Sequence, residues 1–236
     1  MSAFQRAIAI CTGIVLATAT ILGTATITWA GTEEEREDAI EELNRSQEIF
    51  QEIAANPDTQ IPTEVMRESK AVIIITNVGQ GGFIFGGRRG DGLMVLREAN
   101  STWSNPAFMT LGGGSFGLQF GGRSSDLVML VMTQEAIDDI LDGDVELGGN
   151  VTGTAGPVGA TVADPAAANG DILIYSRSSG LFGGATAGAT SIEFDDERNE
   201  AFYGVENVTP SQIFTNINLR PAASVASLEQ TLLLAE

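Results

Sequence analysis

Across residues 71–204, short apolar runs of β-type residues alternate with clusters of glycine. AVIIITNV, GGFIFGGRRGDG, GLMVLRE, TWSNPAFMTLGGGSFGLQFGG and SDLVMLVMT follow in that order. Glycine inside a strand has no side chain to pack, so it weakens the strand unless a bend, a bulge or a close backbone approach requires it. So much glycine among strands constrains the chain to a closely packed, curved sheet. The pattern predicts an α+β fold: a curved, mainly antiparallel, barrel-like sheet with N-terminal, central and C-terminal helices.

In residues 32–55, Ile40, Leu43, Phe50 and Ile53 or Ala54 fall near helical spacing with glutamates between them. Thr32 can cap this helix, and Glu33, Glu34 and Glu35 then sit where the helix dipole favours anions. Asn56-Pro57-Asp58 ends it. Ile61-Pro62 starts a shorter helix reaching about Lys70, and AVIIITNV follows as a buried strand. Further strands are predicted near 82–85, 92–98, 107–110, 116–120 and 127–132, which leaves GGRRGDG as a turn. Thr133 caps a helix over 134–141 that Gly143 stops. Short strands are expected near 145–147, 151–153 and 158–162. DILIYSR, residues 171–177, is a strand, and 185–194 is another, paired to it. Asp195, Asp196 and Glu197 read as a solvated hairpin turn. Thr209-Pro210 with Gln212 forms a capping box, and 221–234 is the last helix. Phe83, Phe85, Trp103, Phe108, Phe116, Phe120 and Phe194 read as core.

The chain carries 12 basic and 31 acidic residues, a formal charge of −19, and Lys70 is its only lysine. A nucleic-acid footprint needs a basic face, so no nucleic-acid partner is expected. With no histidine, His-based triads and His metal ligands are excluded. Arg6 followed by the uncharged residues 7–31, ending in Thr28-Trp29-Ala30, reads as a signal peptide or a membrane anchor. Cys11, the only cysteine, follows Ile10 where a lipobox takes a small residue, so a lipoprotein is the third reading. Each reading exports the body of the chain to the periplasm or cell envelope. The expected division is 1–30 signal or anchor, 31–60 acidic amphipathic helix, 61–204 sheet domain and 205–236 C-terminal helical tail.

No glycine loop matches a phosphate-loop or dinucleotide pattern, and no cofactor or metal is expected. The scarce arginines draw attention instead. Arg88 and Arg89 are adjacent, and Arg97, Arg123 and Arg177 lie in or beside strands. Arginine's planar fork suits phosphate and carboxylate oxygens. A cluster on one rim could hold an anionic headgroup. Alternatively, each arginine pairs with a carboxylate such as Asp91, Asp126 or Asp171. Leu181-Phe182, between glycines, is either an exposed membrane wedge or a pair folded under the sheet.

Read in order, several segments resemble the SYLF domain family. They are Ile61-Pro62, Lys70-Ala71 entering a strand, GLMVLR at 92–97, Trp103-Ser104-Asn105-Pro106, GSFGLQFG at 114–121, LGGN at 147–150 and AGPVG at 155–159. YSRSSGLF at 175–182, Asn199 and Tyr203-Gly204 complete the set. The resemblance covers roughly residues 61–204. It implies a non-enzymatic domain that binds anionic phospholipids, phosphoinositides in eukaryotic members, with Arg88, Arg97 and Arg177 at family-like basic positions. Some eukaryotic members also bind actin filaments, a partner not expected for an exported chain. The N-terminal helix is Glu-rich where those members carry a basic one, and Ser179 stands where many relatives have Lys.

The expected function is therefore an exported, non-enzymatic phospholipid-binding protein of the cell envelope. Arg88, Arg89, Arg97 and Arg177 would hold the headgroup at the sheet rim, and Leu181 and Phe182 would meet the acyl boundary. The alternative is a scaffolding module that docks a protein partner through its acidic helix. A carboxylate-based hydrolase is a third class, for which no nucleophile and base pair can be named.

Overall fold

The computed structural model describes residues 32–57, 60–81, 85–116, 123–143, 145–147, 151–157, 170–176, 190–219 and 223–236. The fold is α+β. Its elements are α1 (Glu33–Ala55), α2 (Thr63–Glu68), β1 (Ala71–Gly81), β2 (Phe85–Leu96), β3 (Ala107–Phe116), β4 (Arg123–Val131) and α3 (Gln134–Asp142). There follow β5 (Glu146–Leu147), β6 (Gly153–Ala155), β7 (Ile172–Ser176), β8 (Thr190–Phe194), α4 (Asp196–Tyr203), α5 (Pro210–Thr215), a 3₁₀ turn (Ile217–Leu219) and α6 (Ser224–Leu233).

The strands form one curled sheet of eight in the order β5-β8-β3-β2-β1-β4-β7-β6. Among the described residues, only the β6–β7 pairing is parallel. β1 lies inside the sheet, between β2 and β4, and its residues 71–75 are buried whichever way they alternate. That explains a continuous apolar run in place of a polar–apolar alternation. α1 covers β1 and β2 and packs against α4 and α6. Its apolar stripe, Ala39, Leu43, Ile49, Phe50 and Ile53, is buried. At its start the Thr32 hydroxyl accepts the Glu35 N–H while Glu35 returns a bond to the Thr32 N–H, the reciprocal capping box.

The predicted turn at GGRRGDG is a stretch of strand: β2 runs unbroken from Phe85 to Leu96, paired on both sides. The glycines serve close approach. A Cβ on Gly90 would stand 2.6 Å from Ile75 Cγ2, and one on Gly92 would strike the Ile74 carbonyl. β3 likewise joins two segments predicted separately, through Gly112, Gly113 and Gly114. β8 does not pair with β7. Both edges of β7 are taken, by β4 and β6, and β8 adds to the free edge of β3. The acidic turn opens a helix: the Asp195 side chain accepts the Arg198 N–H at 3.0 Å, and Asp196 and Glu197 occupy the first turn of α4. α2 is shorter than expected because Pro62 stays extended as its N-cap and Ser69 is extended after it.

Two joints hold the C-terminal helices to the sheet. Asn199 on α4 accepts the Phe108 N–H at 2.8 Å and donates to the Phe108 carbonyl at 3.0 Å. Asn105 donates to the Ile213 and Asn216 carbonyls at 3.1 and 2.8 Å, closing the C-terminal end of α5, and the Tyr203 hydroxyl donates to the Pro106 carbonyl.

Candidate functional site

A bulge in β1 divides the sheet. The register shifts between Thr76 and Gly79 against β2, and between Ile75 and Val78 against β4. Asn77 sits in the bulge at φ 50° and donates its N–H to Asp126 at 2.9 Å. On one side of the bulge lies the apolar core. On the other, the four central strands carry mostly glycine, serine, glutamine and arginine: GQG in β1, FGGRRG in β2, GGGSF in β3 and RSS in β4.

Arg88 and Arg89 belong to this glycine-rich end. Arg88 pairs with Gln80 of β1, and Gln80 pairs on its other side with Arg123 of β4. The next row is Arg89, Gly79 and Ser124. The Arg89 side chain is 78% exposed, with the Asp91 carboxylate 3.9 Å away. Arg97 is eight positions on, just past the opposite end of β2, roughly 26 Å along an extended strand. There its guanidinium is only 15% exposed. It donates to the Ser69 and Met66 carbonyls and to Glu236 at 2.7–2.8 Å and stacks 4.2 Å above the Trp103 ring. The sheet therefore places Arg88 and Arg89 at one end of β2, in successive and so alternating positions, and Arg97 beyond its other end. Arg177, Leu181 and Phe182 lie outside the described residues.

Beneath the arginine rows, a polar cluster joins helix to sheet. The Thr76 hydroxyl donates to Glu42 of α1 at 2.9 Å, and Ser46 donates to the same carboxylate at 3.3 Å. Arg198 of α4 lies 3.7 Å from Asp91 and 3.5 Å from Asp195. Burial pushes the Glu42 carboxyl above the ordinary value, against the lowering pull of the Thr76 hydrogen bond and the Arg198 charge. The folded protein thus holds the Glu42 proton more tightly than the unfolded chain. This contribution to stability is full below pH 4.5, the ordinary value, and is lost as pH rises through the raised one. We expect Glu42→Gln to remove that dependence. Urea midpoints of the two proteins should converge in acid and separate in favour of the glutamine variant toward neutral pH. A midpoint difference that stays flat across the series would contradict it.

Sequence reasoning missed Glu42, Thr76 and Arg198. It named Arg123 without placing it, because only the pairing of β1 with both β2 and β4 sets Arg123 level with Arg88. Of the carboxylates considered as partners, Asp126 accepts from Asn77, and Asp171 accepts from the Thr152 N–H at 3.0 Å and the Thr133 hydroxyl at 3.3 Å. Among the described residues, no group of three acidic or cysteine side chains is placed to hold a metal, and no helix is long and apolar enough to cross a membrane.

The family model described as "Las17-binding protein actin regulator" matches residues 112–235. LAS seventeen-binding protein 3 of Saccharomyces cerevisiae is 36% identical over 180 residues, 74% of this chain and 39% of that protein. Protein YSC84 of the same yeast is 35% identical over 172 residues, 70% of this chain and 36% of that protein. SH3 domain-containing YSC84-like protein 1 of Homo sapiens is 29% identical over 178 residues, 73% of this chain and 52% of that protein. The chain thus spans about two fifths of the yeast relatives' length and half of the human one's. No solved structure matches it. The expectation that actin falls outside the partners is not borne out, since the matching family is described as an actin regulator. The family is one of binding and adaptor proteins. This chain belongs to the Ysc84, or SYLF-domain, family.

Proposed function

We propose that this chain is an exported, non-enzymatic binding domain that attaches to an anionic phospholipid surface of the cell envelope through the arginines at the glycine-rich end of its sheet. The observation that carries this reading is Arg89 in β2, whose guanidinium is 78% exposed and lies 3.9 Å from the Asp91 carboxylate. An exposed guanidinium can form charge-assisted bonds with phosphate oxygens without breaking a close ion pair. Export rests on the uncharged run 7–31 that follows Arg6.

Flotation with phosphatidylcholine vesicles, with and without phosphatidylserine, tests the reading. Binding is expected only to the anionic vesicles and should fall as salt rises. Arg88→Glu with Arg89→Glu should abolish it; flotation of that double variant at the wild-type level would remove the assignment.

A second reading is favoured by α1. Glu34, Glu37, Asp38, Glu41, Glu48 and Glu52 are exposed along it, and a groove of about 380 Å³ runs beside Glu41, Arg45, Glu48 and Glu52. The relatives' names give Las17 as a partner of those proteins. By this reading a basic surface of an actin-related partner docks on the helix. Reversing Glu41, Glu48 and Glu52 to lysine would abolish partner binding and leave flotation unchanged.

A further inference from the structure

We propose that the acid-rich start of α1, residues 33–41, is a built-in counter-charge that stands on the Arg89 side of the sheet and weakens the binding of anions there. This rests on the anion-binding reading above and gives that end of the sheet a regulator. Two contacts fix the face. Arg89 and Asp91 lie two positions apart in β2, where its register against β3 is unbroken, and their charged groups approach to 3.9 Å, so they share a face. Asp91 pairs with Thr76, whose hydroxyl donates to Glu42, so that face is the one α1 covers.

The direction of α1 follows from its other end. Ala54 and Ala55 line a groove with Leu234 and Ala235, and the next residue, Glu236, accepts from Arg97 just past the Leu96 end of β2. From Glu42 to Ala55, α1 therefore runs from the bulge to the Arg97 end of the sheet. The lengths agree: this part of the helix rises about 20 Å, and Ala71 to Thr76 spans about 17 Å of strand. The residues before Glu42 consequently lie on the other side of the bulge, toward the glycine-rich end, and extend about 14 Å. They comprise six acidic residues and one arginine, Arg36. Ala39 is fully buried and holds this stretch down, while Glu34, Glu37, Asp38 and Glu41 are exposed. These carboxylates and Arg89 all face water, so they act on one another through solvent and not as close ion pairs. Within a Debye length, about 10 Å at 0.1 M salt, the carboxylates make the potential that an arriving anion meets more negative.

The test needs no ligand at its first step. The chain has no histidine, so Arg89→His in the full chain supplies a single imidazole whose NMR titration reads the field at that position. Glu34→Gln, Glu37→Gln, Asp38→Asn and Glu41→Gln together are expected to lower its midpoint by about 0.5 pH at low salt, and by less as salt rises. Glu135→Gln with Asp142→Asn should leave it in place. Both residues are exposed on α3, which follows the Val131 end of β4, and Val131 pairs with Ala71 at the end of the sheet away from Arg89. With Arg89 intact, the four substitutions should tighten binding to phosphatidylserine-containing vesicles about threefold, the binding ratio equivalent to that midpoint change. The α3 pair should bind as wild type. A midpoint that ignores the four substitutions, or moves as far per charge with the α3 pair, overturns the counter-charge. So does a midpoint that falls while vesicle binding of the wild type and of the four-fold variant is equal. A midpoint that falls while neither protein floats with anionic vesicles keeps the counter-charge and removes the lipid reading.

Discussion

Arg97→Met is expected to lower the free energy of unfolding by about 3–5 kcal/mol, the range for breaking one side of a buried, hydrogen-bonded charge pair, and to leave vesicle binding of the folded protein unchanged. The guanidinium holds three parts of the chain at once. It donates to the Met66 and Ser69 carbonyls at the end of α2, the first of which also accepts from Ser69. It pairs with Glu236 at 2.8 Å beyond α6, and it lies over Trp103, which is itself fully buried. Methionine keeps the length and apolar stem but leaves the Glu236 carboxylate without its cation and the Ser69 carbonyl without this donor. Arg97→Lys retains the charge and loses the planar fork, so it should fall between the two. Equilibrium urea titration reads the stabilities, and flotation of the folded variants reads the binding. A loss of vesicle binding at unchanged stability would return Arg97 to the headgroup site where sequence reasoning had placed it.

The residues that were legible are those whose structure is decided within about four positions. Thr32 caps α1 and the Thr209–Gln212 capping box forms as the spacing predicts, and so does the helix from Thr133 to Gly143. The apolar run of β1 announced a buried strand for the same local reason. What was not legible depends on which strands meet. GGRRGDG has the composition of a turn, and only partners on both sides make it a strand. The partner of β8 is chosen by which edge is left open, a property of the whole sheet. Arginine in a strand looks alike in sequence whether it ends at an open rim, as Arg89 does, or over a buried tryptophan, as Arg97 does. The segments that identified the family include the joints of the fold: Trp103, Ser104, Asn105, Asn199 and Tyr203 are buried, and four of them hydrogen-bond to backbone. Their order along the chain revealed the architecture, while the residues facing a ligand had to be placed by register.

Asn199→Leu is the sharpest test of that division, because it removes a family mark that touches nothing at the arginine rim. Asn199 is fully buried and fills both hydrogen-bonding positions of Phe108, as a further strand residue would. The Phe108 carbonyl keeps a second donor, the Asp195 N–H at 3.0 Å, but its N–H has no substitute in the leucine variant. Stranding that buried donor costs about 1–3 kcal/mol. Forcing a branched apolar side chain against Phe108 and Phe202, whose rings meet edge-on at 5.0 Å, adds roughly 1–3 kcal/mol more. The total expected in a urea titration is about 2–6 kcal/mol, the sum of those two effects. Asn199→Asp separates the hydrogen bond from the packing. It preserves the shape and the acceptor for the Phe108 N–H, but above its pKa it faces the Phe108 carbonyl with a buried charge. That carboxyl is pushed up by burial, so its penalty is absent in acid and grows as pH rises. A leucine variant within 1 kcal/mol of wild type, or an aspartate variant whose deficit does not grow with pH, would mean that α4 is held to β3 by packing alone.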